Sequence, residues 1–580
     1  MRTRRSLRGF LAPLFVVALI VAACGGDDEA DAPLPAAEAP APAPEPAAPA
    51  PADEPAAPEP AAPAPAEEPA AAPEPPPAEP AEEKTLVVAA VDTAPTLDTE
   101  FFAGTPQSWE MTDNIYDTKF WYSDDGTERN FNEFLPRQFA SAEVSADGTE
   151  WTFVMRDDLV DENGDRATTE DFMYSIDRAF GVQAVNQFLL LLMNVTSADQ
   201  FEAVDDFTVK MTLADFSPLV QPIFTLSFIP ILNKDVVEAN ATDDDPWALN
   251  WMATNAAGFG PYYIEENTAG QQTVLRANPN YWAGKPDIDR IIYRAVPESS
   301  NRVSALLSGA VDMALALSGT ELSSIADNDN VELSVFEGNN ITTIIPNNAV
   351  PPFDNAKVRQ ALAYAAPYDE IIAIFDGWAS PIKSYIPPMF PGYTDEYFPY
   401  ETDVEKAKAL IAESGVETPI SATLTYADHR PENERVAVAV KSAWEEIGVN
   451  IDLNKVTFGT FADISNSREF ELIMTAALQS HAIDILYGME IFSGAGLFGF
   501  LNYGNYANAD VHALFDAGRF ETDNAARLDI ARQIQQIMAD DPPWVVLATP
   551  QYVVSHRPGV EGILWPPDEG LRFWEMRLTE

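Results

Sequence analysis

Side chains that could carry out catalytic or metal chemistry are few and scattered in this chain. No HExxH or similar zinc-binding spacing connects its four histidines, which are His429, His481, His512 and His556. The sequence also lacks the G-x-S-x-G turn of serine hydrolases and the phosphate-binding G-x-x-x-x-G-K-[ST] loop. Acidic residues are so abundant that no pair stands out as a catalytic acid and base. These patterns predict no enzyme, and a secreted hydrolase with a carboxylate pair stays an alternative.

Two short motifs match binding loops only superficially. Residues 494–499 read GAGLFG and fit G-x-G-x-x-G, but no strand-turn-helix pattern surrounds them, so we expect a flexible loop. Residues 161–165 read DENGD, yet the glycine stands at the fourth position rather than at the sixth that a calcium loop needs. That segment is predicted to be a hairpin turn. We therefore expect neither a cofactor nor a metal.

The only cysteine, Cys24, follows a sequence that is typical of an export signal. Four early arginines precede an apolar run over residues 10–20 and the small residues 21–23. A cysteine at the cut resembles the lipobox of bacterial lipoproteins, whose thiol is diacylated before cleavage makes it the new N-terminus. The alternative, a transmembrane helix, is disfavoured because the run is shorter than the roughly 20 residues of a span and contains Pro13. We predict an extracytoplasmic protein that is anchored by lipid on Cys24.

The charge composition excludes some classes of binding partner. The 580 residues carry 91 acidic and 34 basic side chains, a net charge of −57. Such a field repels nucleic-acid phosphates and anionic headgroups, so no nucleic-acid partner is expected. Solubility is the simplest purpose of this charge, and a saline or cation-rich habitat is a second interpretation. A single cysteine excludes internal disulfides, so the 46% of hydrophobic residues must form the cores.

A long segment after the cysteine is predicted to be a spacer. Residues 27–83 consist almost entirely of Ala, Pro, Glu and Asp, with no aromatic residue. They cannot bury enough apolar surface to fold. Alternating prolines favour an extended chain of roughly 3.1 Å per residue, which gives a reach on the order of 150 Å.

From Lys84 onward, strands and helices are predicted to alternate. The apolar run 85–91 predicts a buried strand, bounded by the turn-prone residues 92–95. Further strands are predicted at residues 150–155, 208–213, 291–296, 331–336, 423–427, 450–456, 471–476 and 544–549. No short period is present, which argues against a solenoid or propeller.

Helix signals lie between these strands. Thr168 and Asp171 resemble a capping box, Asp403 is a predicted N-cap, and Gly415 a predicted stop. A stripe of apolar residues from Val436 predicts another helix that ends at Gly448. The alternation of strands with helices indicates α/β lobes.

Read in order, these segments resemble the solute-binding proteins of ATP-driven importers, in the large class that takes peptides, nickel and related solutes (extracellular solute-binding protein family 5). The hairpin 135–153 (LPRQFASAEVSADGTEWTF) resembles the family's "P…LA…S.DG..YTF" segment, and residues 353–365 (FDNAKVRQALAYA) match "F.d..VRqAl.yAid". The other matching stretches are residues 115–118 (IYDT), 167–175 (ATTEDFMYS), 258–262 (GFGPY) and 278–282 (NPNYW). The resemblance extends from about Lys84 to the C-terminus.

The resemblance implies a bilobal α/β fold of the periplasmic-binding-protein type, with an extra subdomain on the first lobe and two hinge strands. It places the crossings near residues 337–346 and 544–550. The expected divisions are a signal peptide (1–23), a lipid-anchored linker (24–83), lobe I (84–340), lobe II (341–545) and a return to lobe I (546–580). It also implies a function without catalysis: a monomer captures a peptide or peptide-like solute and delivers it to the permease subunits of an ABC importer.

The resemblance further implies a binding site. In dipeptide-binding members an arginine of an "RPY" turn pairs with the ligand carboxylate, and Arg430 occupies that position here, with Glu432 in place of the tyrosine. An aspartate of a "GW..D" segment pairs with the ligand's α-amino group, but Ala482 stands at that position. Asp484, two residues later, is the substitute we predict. The neighbouring cleft candidates are Gln479, Ser480 and His481.

Other predicted cleft residues are Thr96 in the early loop and three aromatic side chains, Trp109, Phe259 and Tyr487, that could stack on a ligand. A metal-chelate or haem ligand on the same fold is an alternative, which His481 and Met489 suggest.

Overall fold

The apolar run after Lys84 forms the first strand, as the sequence predicts. The computed structural model of the chain describes residues 83–101, 106–124, 129–428, 430–478, 481–564 and 570–579. The predicted signal, Cys24 and the predicted linker lie outside these residues.

The strands of the described residues are as follows, in chain order: β1 (Thr85–Ala90), β2 (Phe120–Asp124), β3 (Arg129–Pro136), β4 (Phe139–Val144), β5 (Glu150–Met155), β6 (Phe201–Asp205), β7 (Thr208–Thr212), β8 (Tyr262–Thr268), β9 (Gln272–Ala277), β10 (Arg290–Ala295), β11 (Met313–Ala314), β12 (Glu332–Phe336), β13 (Ile341–Pro346), β14 (Ala379–Ser380), β15 (Ile420–Ala427), β16 (Val449–Val456), β17 (Leu472–Leu478), β18 (Val545–Pro550), β19 (Tyr552–His556), β20 (Val560–Glu561) and β21 (Arg577–Leu578).

The helices of the same residues are α1 (Pro106–Tyr116), α2 (Thr169–Val182), α3 (Val185–Leu192), α4 (Val220–Phe224), α5 (Lys234–Ala239), α6 (Leu249–Met252), α7 (Ser299–Ser308), α8 (Gly319–Ile325), α9 (Ala356–Tyr364), α10 (Tyr368–Ile374), α11 (Val404–Ser414), α12 (Pro431–Glu445), α13 (Phe458–Ser467), α14 (Tyr487–Ser493), α15 (Ala509–Arg519) and α16 (Asn524–Asp540). None of the described helices is both long and apolar enough to span a membrane.

Two large mixed sheets organise the chain. The first has seven strands in the order β12-β19-β11-β1-β10-β9-β8, with β1 parallel to both β10 and β11. The second has six strands in the order β14-β18-β13-β17-β15-β16, with β15 parallel to both β16 and β17. We call the region around the first sheet, from β1 to β12 together with β19 and the chain after it, the first lobe. The region from β13 to β18 is the second lobe.

The first lobe carries an additional antiparallel sheet of four strands, in the order β4-β5-β7-β6. It packs through aromatic rings: Phe139 stacks on Phe153 at 4.8 Å between ring centroids, and Phe172 of α2 meets Phe139 edge-on at 5.7 Å. This sheet lies between β1 and β8 in sequence, as expected for a subdomain inserted into the first lobe.

Two crossings join the lobes side by side. The chain leaves the first sheet after β12 and enters the second at β13, and it returns between β18 and β19. Phe336 at the end of β12 lies opposite Tyr552 at the start of β19, so the two crossings are neighbours. Gly338 makes this proximity possible, since a Cβ atom there would lie 1.9 Å from the carbonyl oxygen of Pro550. Any larger residue would push the crossings apart.

Local helix signals act as the sequence predicts. Thr168 and Asp171 form a complete capping box at the start of α2. The Asp403 side chain accepts a hydrogen bond from the amide of Lys406, and Gly415 ends α11 in a left-handed conformation. Residues 161–165 form a turn, as predicted, in which the amide of Asp161 donates to the carbonyl of Asp165.

Apolar packing connects the two lobes. One buried core includes aromatic residues of the four-stranded sheet, Trp109 of α1 and Phe228 in the first lobe, and it continues to Tyr487 and Trp544 of the second lobe. Separate cores lie against the first sheet and the second sheet. The lobes are therefore in direct contact in this structure.

Candidate ligand-binding site

The carboxyl ends of β15 and β17 lie at one edge of the second sheet. The two strands are parallel, with Leu424 opposite Leu472, and so they end on the same side. β13 runs antiparallel to β17 and begins there, with Ile341 opposite Leu478. Both crossings therefore emerge at this edge. In open α/β sheets, ligands bind in the crevice outside the carboxyl ends of the strands.

An aromatic contact joins this edge to the first lobe. His481, three residues after β17, is half-buried, and its ring centroid lies 4.5 Å from that of Trp109 in α1. Trp109 is buried and meets Phe228 edge-on at 4.9 Å. We call the boundary between α1 and the edge of β15 and β17, where the rings of Trp109 and His481 meet, the cleft. The structure brings together two of the predicted cleft residues, Trp109 and His481.

A buried ion pair lies beside Trp109 on the first-lobe side. Asp113 of α1 pairs with Arg572, whose Nη1 lies 2.9 Å from the carboxylate Oδ2, and the guanidinium lies 4.4 Å from the centre of the Trp121 ring. A Cβ atom at Gly570 would lie 2.7 Å from Asp113 Oδ2 and 2.8 Å from the Cβ of Trp109, so only glycine fits. Neither Asp113 nor Arg572 was anticipated from the sequence, because they stand far apart in the chain.

Arg430 stands at the same edge, directly after β15. It is the N-cap residue of α12, and its side chain is half-buried. The side-chain Nδ2 of Asn433 fastens the turn by donating to the carbonyl of Ala427 at 3.0 Å. Among the described residues, none forms a hydrogen bond or ion pair with the Arg430 guanidinium. A guanidinium beside the positive end of a helix favours an anion.

A further aromatic contact and a narrow crevice of about 250 Å³, its open mouth included, lie between the lobes. Phe188 of α3 meets Phe500 of the second lobe edge-on at 4.5 Å. The crevice itself is lined by Ser217, Leu219, Tyr487, Glu490, Phe498 and Arg519, among others. Sequence reasoning missed Phe188 and Arg519, since nothing in their local pattern distinguishes them from other core or surface residues.

Comparison with known proteins identifies the family of this chain. The family model described as "Bacterial extracellular solute-binding proteins, family 5 Middle" matches residues 133–496, which is more than half of the chain. The chain belongs to this family. The resemblance inferred from the sequence is thereby confirmed. The proteins of this family are extracytoplasmic.

Individual relatives cover most of the chain. The probable D,D-dipeptide-binding periplasmic protein DdpA of Escherichia coli is 27% identical over 470 residues, 79% of this chain and 87% of the relative. Heme-binding protein A of Haemophilus influenzae is 28% identical over 374 residues, 63% of this chain and 67% of the relative. The solved structure of the periplasmic binding protein DppA of Helicobacter pylori with the peptide STSA superposes with a TM-score of 0.75 at 22% identity, covering 86% of this chain and 98% of that one. The predicted bilobal α/β fold is confirmed.

In this solute-binding protein, Asp484 is held by an internal ion pair. Its two carboxylate oxygens each accept a hydrogen bond from Arg527 at 2.8 Å, and Oδ1 also accepts from the amides of Leu486 and Tyr487. The residue is 8% exposed. Asp484 thus fastens the loop between β17 and α14 to α16.

Glu490 and Arg519 form a second buried pair beside it. Arg519 also lies 4.0 Å over the ring of Phe498. Burial raises the pKa of the Glu490 carboxyl to about 7, while the charge of Arg519 acts in the opposite direction. The charged side chains of Glu490 and Arg519 in the crevice wall therefore pair with each other.

The remaining predicted ligand-binding residues lie in several different places. Thr96 is half-buried, and its hydroxyl accepts a hydrogen bond from the amide of Asp98 at 3.1 Å. Phe259 and Tyr487 are buried in the core that joins the lobes. Gln479 and Ser480 lie outside the described residues. No comparison tests a ligand role for any of these side chains, so the site stays a prediction.

A larger cavity elsewhere does not share these features. It encloses about 710 Å³, its mouth included, and all of its lining residues belong to the first lobe, with Trp251, Tyr263 and Glu265 among them. The Glu265 carboxylate is paired with Arg290 at 2.7 Å. Closure of one lobe on the other would not enclose a ligand there, so we do not assign it to solute capture.

Metal ligands do not cluster in the part of the chain that the structure describes, where no group of three His, Cys, Asp or Glu side chains is positioned to hold an ion. Met489 of α14 is fully buried, and its thioether is enclosed by core side chains.

Proposed function

We propose that this protein captures a peptide or peptide-like solute between its two lobes and delivers it unchanged to the permease of an ABC importer. The observation that carries the proposal is the contact of the carboxyl edge of β15 and β17, through His481, with Trp109 of the first lobe, beside two adjacent crossings. Two lobes that rotate about such crossings can bury a ligand and present a distinct closed shape to a membrane partner.

Peptide binding is supported by what similar proteins are described as binding, a D,D-dipeptide for one and the peptide STSA for another. The haem alternative depended on His481 and Met489. Because the thioether of Met489 is enclosed by the core, it does not meet His481 in the cleft, and we favour the peptide class.

The first prediction concerns ligand binding. A ligand that binds only the folded protein stabilises it, by about 2.7 kcal/mol at a concentration of 100 times Kd. We expect at least one compound from a panel of short peptides and acylated amino acids to raise the melting temperature of the full-length protein in a concentration-dependent manner. Native mass spectrometry should show a 1:1 complex, and the ligand should be recovered chemically unchanged. A panel without any shift would contradict peptide capture, and recovery of cleaved ligand would favour the hydrolase alternative.

The second prediction concerns the anchor. We propose that the mature protein begins at Cys24, carries a diacylglyceryl group on its thiol, and is held at the membrane as a monomer by this lipid. Mass spectrometry of the N-terminal peptide from the mature protein is expected to show the modification, and Cys24→Ser should abolish it because no other thiol exists in the chain. Ser6→Ala in the predicted signal is the matched control and should leave the modification intact. An unmodified Cys24 in the mature chain would refute the anchor.

A further inference from the structure

The glycine-rich segment after α14 folds into a tightly packed turn. A Cβ atom at Gly499 would lie 2.1 Å from the carbonyl oxygen of Gly494, so the two ends of the segment are in direct contact. Gly496 between them has a left-handed φ of 62°, which glycine adopts without steric cost. The side-chain Nδ2 of Asn502 donates to the carbonyl of Gly494 at 2.9 Å and closes the turn. We call residues 494–501 the glycine turn.

The glycine turn presents apolar side chains at the boundary with the first lobe. Phe500 and Leu497 are 37% and 38% exposed, and the ring of Phe500 meets that of Phe188 in α3 edge-on at 4.5 Å. Phe498 lines the crevice between the lobes together with Leu219. Phe188 and Leu219 both lie in the chain between β5 and β8 and pack with the core of the four-stranded sheet. The turn therefore faces the subdomain that is inserted into the first lobe.

The helix that carries Phe188 is held in place by buried polar contacts of its own lobe. Glu100, which is 1% exposed, accepts hydrogen bonds from the backbone amide of Asn186 at 3.2 Å and from its side-chain Nδ2 at 3.0 Å. The side-chain oxygen of Asn186 accepts the amide of Ile229 at 3.2 Å. Because each ring is fixed by contacts within its own lobe, the contact between Phe188 and Phe500 can open and close while both lobes stay folded.

We infer that the glycine turn and α3 form an apolar latch that favours the closed arrangement of the lobes even without a ligand. The inference rests on the proposed function in one respect, since closure of the lobes is the step that captures the solute. Separation of the lobes exposes the facing apolar surfaces to water and breaks the aromatic pair, and both changes cost free energy. Such a contact shifts the equilibrium between open and closed lobes without touching the ligand.

The test measures the distance between the lobes in the full-length protein without ligand, by pulsed electron–electron double resonance. Cys24→Ser removes the only thiol, so spin labels attach solely at Glu202→Cys in β6 and Glu405→Cys in α11, two exposed positions on different lobes. We expect a population with a short distance between the labels, which represents the closed arrangement. Phe500→Ala should lower the ratio of this population to the longer-distance one by about 3- to 10-fold.

Two further variants make the result specific to the latch. Phe520→Ala is the matched control, since it removes a phenylalanine that is 47% exposed at the end of α15 in the second lobe, and it should leave the populations unchanged. The double variant of Phe188→Ala with Phe500→Ala should not exceed the larger single effect, because both changes remove the same contact.

Three results would overturn the latch: only long distances in the unmodified protein, unchanged populations in Phe500→Ala, or an equal shift in Phe520→Ala. Because no ligand is present in this experiment, each of these results leaves peptide capture standing. A peptide panel without any thermal shift would contradict capture and leave the measured latch in place.

Discussion

Replacing Arg527 with alanine is expected to lower the free energy of unfolding by about 3–5 kcal/mol. The side chains of Arg527 and Asp484 are 4% and 7% exposed, so the substitution leaves a carboxylate buried without its counter-charge. The two amides that also donate to Asp484 do not compensate for that loss. Because this pair fastens the loop after β17, the variant should also disturb the position of His481 against Trp109.

Urea unfolding monitored by tryptophan fluorescence measures this effect. Arg532→Ala is the matched control, since it removes a half-exposed arginine of the same helix from a surface pair with Asp529 and should cost at most about 1 kcal/mol. The double variant Arg527→Met with Asp484→Leu removes both charges and should recover most of the stability. Equal free energies of unfolding for the Arg527 and Arg532 variants would show that the buried pair stabilises the protein no more than the surface pair does.

Local elements of this fold could be predicted from the sequence because their signals are local. The capping box at Thr168 and the stop at Gly415 each involve residues within one or two turns, and the structure contains both. The predicted strand at residues 450–456 is β16, one residue longer at its start, because side-chain alternation on a half-buried strand is visible in sequence.

Pairings between distant residues could not be predicted in this way. Asp113 and Arg572, or Asp484 and Arg527, become neighbours only when sheets and helices pack, and an acidic chain offers many equivalent carboxylates for each arginine. The sequence pattern therefore suggested Asp484 as a ligand-binding residue, but it could not show that Arg527 donates a hydrogen bond to each of its carboxylate oxygens. The family resemblance predicts where a ligand would bind, and tertiary contacts decide which charges there are already paired.

Arg430→Ala is expected to weaken the binding of a carboxylate ligand by about 10- to 100-fold while leaving the folded protein intact. A hydrogen-bonded charge contributes about 1.5–3 kcal/mol, which corresponds to this range. The residue is half-buried and forms no hydrogen bond or ion pair with another described residue, so the substitution removes no such interaction within the described part of the chain. Stability in urea should change by less than about 0.5 kcal/mol.

Isothermal titration with a carboxylate ligand from the peptide panel measures the loss, and Arg532→Ala, with the same change in net charge, should bind as the unmodified protein does. Arg430→Lys sharpens the interpretation. Lysine keeps the charge but not the planar fork, so it should restore only part of the affinity if the contact is bidentate. Full restoration would indicate that charge alone acts at this edge, and unchanged affinity of Arg430→Ala would remove Arg430 from the binding site and leave the N-terminus of α12 without a role in capture.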